Sequence, residues 1–291
     1  MIQERTFDGG LRLIVETTAA ADVAAVGVWY NRGSRDEQAS EHGITHIIEH
    51  MLFKGTKNLS ASQIARSFDV MGGLVNAFTE RETMALHATV PLSGFPNAVS
   101  ILSDIITQAA FDQEEFTKEL IVIENELAAV MDDVEELASD AFSEYYWGEH
   151  PLAHPIGGNL SDIRQKSLDQ VYLFYQNHIQ ALPDIISVAG GINIDSVYDA
   201  FAPFIDAVKK KKATHSTYLS SSLAFKNPPS VTVPRYHVLD SQYVQIFYAL
   251  PGPERLSDER YHDIIIANAA FGDTMGSRLF QKLREDRPPD R

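Results

Sequence analysis

Between Met84 and Pro91 the chain alternates, with Met84, Leu86, Ala88 and Val90 on one parity and Ala85, His87 and Thr89 on the other. Successive side chains of a strand point to opposite faces, so this period of two commits the segment to a strand with one buried face. His87 falls on the second face as an ordinary strand residue. The runs LRLIV (Leu11 to Val15) and VAAVGVWY (Val23 to Tyr30), flanked by Gly, Asp and Asn, read as paired strands. From Gln113 to Tyr145 the period changes, because Phe116, Leu120, Ile123, Leu127 and Val130 recur at spacings of three and four and form one helical stripe. A further helix is expected from about Ser40 to Lys54. Such a pattern predicts an α+β fold, a mainly antiparallel sheet with helices packed on one side.

The stretch from Asp206 to Ser230 combines the basic run Lys209 to Lys212, serines and a proline pair, and reads as a linker. The expected organisation is a first domain over residues 1–208, a linker over 209–230 and a second domain over 231–291. After the linker the pattern begins again: SQYVQIFYAL (Ser241 to Leu250) reads as a strand like the one ending at Tyr30, and a helical segment closing in AAFGD resembles MLFKGT. Superposing Gly272 on Gly55 gives an offset of 217 residues. Two equal copies need roughly 430 residues, so the fold is expected to be duplicated with its second copy truncated at the C-terminus.

With no cysteine, any metal must be held by imidazole and carboxylate, which favours zinc on His and Glu. The net charge of −16 repels phosphate backbones and anionic membranes, so nucleic acid and membrane are excluded as partners. No apolar run approaches the roughly 20 residues that span a bilayer, and the start MIQERTFDGG lacks the basic-then-apolar order of a secretory signal. The expected location is cytoplasmic.

The segment GITHIIEHMLFKGT holds His46, Glu49 and His50 within five residues. At about 100° per residue, His50 lies about 40° from His46 and Glu49 about 60° to the other side, so all three share a helix face. Two imidazoles one turn apart can reach one Zn²⁺, which lowers the pKa of its bound water to about 7, and the carboxylate between them can take that water's proton. The same residues also fit an amphipathic helix, because Ile44, Ile48 and Leu52 form an apolar face on the other side. A third ligand has to come from elsewhere. On the helix from Gln113, with Phe116 as origin, Glu119 lies near roughly 300°, Glu126 near roughly 280° and Glu124 near roughly 80°. Glu119 and Glu126 therefore align two turns apart, either as groups facing a metal or as exposed glutamates beside a core stripe.

Taken together, NRGSRDE (Asn31 to Glu37), the His-Glu-His segment, GGLVNAFTERET (Gly72 to Thr83), ENEL (Glu124 to Leu127), HPLAHPIGG (His150 to Gly158) and GSRLFQKLRE (Gly276 to Glu285) resemble, in order and over nearly the whole chain, the H-x-x-E-H inverted-zincin metallopeptidases of the pitrilysin, insulinase and mitochondrial-processing-peptidase group. That resemblance implies one zinc per chain held by His46, His50 and Glu126, the last of these 76 residues beyond His50. It implies Glu49 as the general base acting on the zinc-bound water, and Glu119 as a group orienting the site. It places substrate binding at Asn76, Ala77 and Phe78, where an extended peptide adds to the sheet edge, and at Arg284. The implied function is a zinc endopeptidase acting on peptides or unfolded, presequence-like segments. The alternative is a zinc- and peptide-binding subunit of little activity, paired as a homodimer or as a heterodimer with a homologue. The departure is at the end, where the family has a Tyr seven residues after the Arg and this chain has Arg291, with PPD in place of a Gly-rich segment.

Overall fold

The computed structural model describes residues 1–214, 244–249 and 259–286. Two compact units divide the chain, Met1–Gln245 and Ile246–Arg291. In the first, six strands among the described residues form one sheet: β1 (Ile2–Thr6), β2 (Arg12–Thr17), β3 (Val23–Tyr30), β4 (Leu74–Thr79), β5 (Met84–Pro91) and β6 (Ile185–Gly190). Their spatial order is β1-β2-β6-β3-β5-β4, which leaves β4 at an edge. Only β2 and β6 run parallel; every other neighbouring pair is antiparallel.

The alternation in β5 holds from Leu86 onward, with Leu86, Ala88 and Val90 buried, His87 half-buried and Thr89 exposed, whereas at its start Ala85 is buried as fully as Met84. Val26, Val28 and Tyr30 of β3 and Ile186 and Val188 of β6 bury the same face. That face is covered by helices α1 (Ile44–Leu52), α2 (Ala61–Met71), α3 (Phe95–Gln108), α4 (Gln113–Asp132), α6 (Leu160–Arg164), α7 (Leu168–Phe174) and α8 (Ile194–Thr214), whose buried side chains join the strand residues in one core, while α5 (Val134–Trp147) packs on α4 and buries no side chain. On the other face Glu16, Ala25, Thr89 and Ala189 stay exposed. No helix among the described residues is long and apolar enough to cross a membrane.

Several expected boundaries move for local reasons. The first helix starts at Ile44 rather than Ser40, because Gly43 takes φ 82° and its missing Cβ would lie 2.5 Å from the carbonyl oxygen of Gly157. The helix expected from Gln113 to Tyr145 breaks at Asp133, which ends α4 and caps α5 by accepting from the amides of Glu135 and Glu136 at 2.9 and 3.1 Å. Lys209 to Lys212, expected to open the linker, instead belong to α8. There the cations sit at the helix C-terminus, and Lys212 lies 3.4 Å from Asp184. Of the strand expected at Ser241 to Leu250, residues 244–249 carry no strand pairing and are exposed; the rest lies outside the described residues, as does the linker from 215 onward.

The second unit repeats the first over a short span. Helix α9 (Arg260–Asn268) stands one residue from where the 217-residue offset carries α1. Ser277 caps the short helix α10 (Arg278–Phe280) through a bond from the amide of Phe280, just as Ser60 caps α2 through the amide of Gln63, and the two serines are 217 residues apart.

Candidate metal centre

Helix α1 buries Ile44, Ile47, Ile48, Met51 and Leu52 against the core, each of them at most 2% exposed. Each such side chain contributes about 1.5–3 kcal/mol, so the helix is held in place without help from its histidines. Its opposite face carries His46, Glu49 and His50, half-buried, toward α4. Its N-terminus is fixed by Glu37, only 6% exposed, whose two oxygens accept from the amides of Gly43 and Thr45 at 2.8 Å each.

The Nε2 atoms of His46 and His50 lie 3.9 and 3.3 Å from Glu126 Oε2. One ligand atom from each of the three residues lies within 4.8 Å of the others. A tetrahedral zinc with bonds of about 2.0–2.1 Å sets its ligands about 3.4 Å apart, so this donor set suits that ion. Burial, reinforced by His50, holds the His46 imidazole down to about pKa 4, so it is neutral at pH 7, as a metal ligand must be. Glu124, the competing carboxylate, turns away and accepts both Nε and Nη2 of Arg164 at 3.1 Å.

His50 is oriented from behind. Its Nδ1 lies 3.1 Å from Glu119 Oε2, and a carboxylate only accepts, so Nδ1 carries the hydrogen and Nε2 presents its lone pair. Glu119 is 5% exposed, and its other oxygen lies 2.6 Å from Lys54 Nζ. Behind His46, the missing Cβ of Gly157 would stand 3.4 Å from Nδ1, in ordinary contact, and 2.9 Å from Leu127 Cδ2, so a side chain there would require the end of Leu127 to move aside.

Helix α1 also packs on edge strand β4, which carries Asn76, Ala77 and Phe78. The Thr79 hydroxyl donates to Glu49 Oε2 at 2.5 Å, and burial raises the Glu49 carboxyl above its usual range despite that bond. On the same strand the Ala77 amide donates to the Asn76 side-chain oxygen at 2.9 Å. The structure thus brings His46, Glu49, His50, Glu119 and Glu126 together, with the last residue of β4 against Glu49. Arg284 belongs to the second unit, where its guanidinium sits 5.0 Å from the centre of the Phe280 ring. Glu37, Lys54, Thr79 and Gly157 escaped sequence reasoning as site residues, although all four fall within the quoted motifs.

A carboxylate and two imidazoles converging on one point, with a second carboxylate beside them, have the layout of a metallohydrolase centre. The family model "Insulinase (Peptidase family M16)" matches residues 12–159, and the model "Peptidase M16 inactive domain" matches residues 166–288. This chain belongs to the insulinase family of peptidases. It is 32% identical over 287 residues to an uncharacterized zinc protease of Bacillus subtilis, covering 99% of this chain and 68% of that protein. To an uncharacterized zinc protease of Streptomyces coelicolor it is 29% identical, over 98% of this chain and 62% of that one. The chain thus spans about two thirds of the length of these relatives. In fold it is similar to a protease from Helicobacter pylori (TM-score 0.68, 23% identity, 72% of this chain and 51% of that one). It is also similar to a peptidase M16 inactive domain from Pseudomonas fluorescens (TM-score 0.77, 14% identity, 99% and 68%).

Proposed function

We propose that the chain acts as a zinc-dependent endopeptidase on peptides or unfolded, presequence-like segments, with one zinc per chain held by His46, His50 and Glu126. The observation that carries this reading is the approach of both imidazole Nε2 atoms to Glu126 Oε2, at 3.9 and 3.3 Å, beside a carboxylate that is not itself a ligand. Zinc held there would acidify a water to a pKa of about 7 and polarise a peptide carbonyl. Glu49 supplies the proton transfer. With Oε2 fixed by Thr79, Oε1 takes a proton from the attacking water and passes it to the leaving amine, as the water oxygen bonds to carbonyl carbon and the C–N bond breaks. Glu119 orients His50 through Nδ1.

An extended peptide adds antiparallel or parallel to the free edge of β4 along Asn76, Ala77 and Phe78, and one of its carbonyls takes over the Ala77 amide from the Asn76 side chain. Because Thr79 ends this strand and bonds Glu49, a peptide paired there runs toward the base. The net charge of −16 steers basic peptides to the surface, and Arg284 is assigned to the substrate backbone by its motif. One observation favours a second reading. Seven residues after Arg284 the chain has Arg291 where the family's motif has a Tyr, so the pair that clamps the substrate backbone is incomplete, and the chain then serves as a zinc- and peptide-binding member of a homodimer or a heterodimer with a homologous subunit. Cleavage of a quenched fluorescent unstructured peptide, with zinc assayed on the same sample and Glu49→Gln as control, separates the two. Zinc-dependent turnover lost in the variant supports the peptidase; bound zinc without turnover supports the subunit.

A further inference from the structure

Lys54 lies beyond the end of α1, one turn after His50. Its backbone is well fixed. The Lys54 amide donates to the Met51 carbonyl at 3.2 Å, Gly55 follows with φ 120°, and Thr56 forms a β-bridge with Ala109. Its Nζ reaches one oxygen of Glu119 at 2.6 Å, and the other oxygen of that carboxylate meets His50 Nδ1 at 3.1 Å. Glu119 is 5% exposed and starts on a different helix, so its carboxylate is gripped at both oxygens by groups from the segment that bears the site.

A buried carboxylate needs a partnering cation and is free to rotate about its terminal torsion when only one oxygen is held. Resting on the zinc reading above, we propose that Lys54 is a positioning residue for the metal centre: by anchoring one oxygen of Glu119 it presents the other to His50, which sets the ring's tautomer and aims Nε2 at the metal. The chain Lys54, Glu119, His50 then acts as a unit. Losing its outer member should weaken metal binding much as other outer partners of histidine ligands do, by about 10-fold to 100-fold.

The test is zinc affinity by competition with a chromogenic chelator for the full chain, Lys54→Met, Lys54→Arg, Glu119→Gln and the Lys54→Met/Glu119→Gln double variant. Lys54→Met should bind zinc about 10-fold or more weakly, Lys54→Arg should recover most of the loss, and the double variant should match Glu119→Gln alone, because the lysine acts only through that carboxylate. Affinity within twofold of wild type in Lys54→Met, or losses that multiply in the double variant, would overturn the proposal. A second readout needs no metal: imidazole ¹⁵N shifts of the zinc-free protein should show His50 locked as the Nδ1–H tautomer in wild type and in Lys54→Arg, and mixed in Lys54→Met. If wild type binds no zinc, the zinc reading fails while this comparison still decides the role of Lys54, and an unchanged His50 tautomer in Lys54→Met rejects it.

Discussion

Replacing Glu37 by glutamine should flatten the pH dependence of stability. The side chain is 6% exposed and caps the metal-bearing helix through the amides of Gly43 and Thr45. Burial raises its carboxyl from 4.5 to about 7, against the opposing pull of those amides and of Lys166. In the unfolded chain the carboxyl ionises near its ordinary value. Between about pH 4.5 and 7 the folded state therefore keeps a proton that the unfolded state has released. The stabilisation is complete below about pH 4.5 and is lost as the pH rises through about 7. At about 1.4 kcal/mol per pH unit, the whole gap is worth about 3 kcal/mol. Glutamine keeps one accepting oxygen in place of two, so the variant should lose about 1 kcal/mol at pH 5 and then show a stability curve flatter than wild type's by about 2.5 kcal/mol up to pH 8. Urea unfolding of the zinc-free protein, followed by tryptophan fluorescence from pH 5 to 8, measures this, since Trp29 and Trp147 both lie in the first unit. Parallel wild-type and Glu37→Gln curves would refute the argument.

Thr79→Val removes the hydroxyl that holds Glu49, so it should lower kcat by about 10-fold with little change in KM, while Thr79→Ser stays near wild type; equal losses in both would show that the hydroxyl is not what matters. Gly157→Ala puts a methyl 2.9 Å from the end of the Leu127 side chain, which can turn aside, and in ordinary contact with His46 at 3.4 Å, so it should cost no more than about 1 kcal/mol of stability and leave zinc binding intact, as thermal melting and chelator competition would show. Ile48→Ala, in the fully buried face of α1, should cost about 2–5 kcal/mol, and a loss below about 1 kcal/mol in urea unfolding would contradict the packing described.

What was legible in the sequence was whatever repeats locally. The parity of Met84 to Val90, the stripe from Phe116 to Val130 and the shared face of His46, Glu49 and His50 all follow from fixed strand and helix periods, and the structure reproduces them save at Ala85, which is buried on the opposite parity. The spacing of seven between Glu119 and Glu126 also put both on one edge of α4. Contacts between elements distant in sequence carry no such period. Nothing local tells that β6 inserts between β2 and β3, that Lys54 reaches Glu119 or that Thr79 reaches Glu49. The break at Asp133 was readable in principle, since an Asp followed by Glu135 and Glu136 is a helix-start signal, but the apolar stripe running up to it masked the signal. Lys209 to Lys212 misled for the opposite reason: a charge run suits a solvated linker and a helix C-terminus equally, and only Val208 beneath it, buried in the core, distinguishes the two.

The central claim, that His46, His50 and Glu126 together hold one zinc, is tested most directly by counting metal. Purified wild type, Glu126→Ala and Glu124→Ala would be dialysed against the same buffered zinc and assayed by elemental analysis. The account predicts about one zinc per chain in wild type and in Glu124→Ala, where only the pair with Arg164 is lost, and well under half that in Glu126→Ala. Full zinc in Glu126→Ala, or its loss in Glu124→Ala, would contradict it.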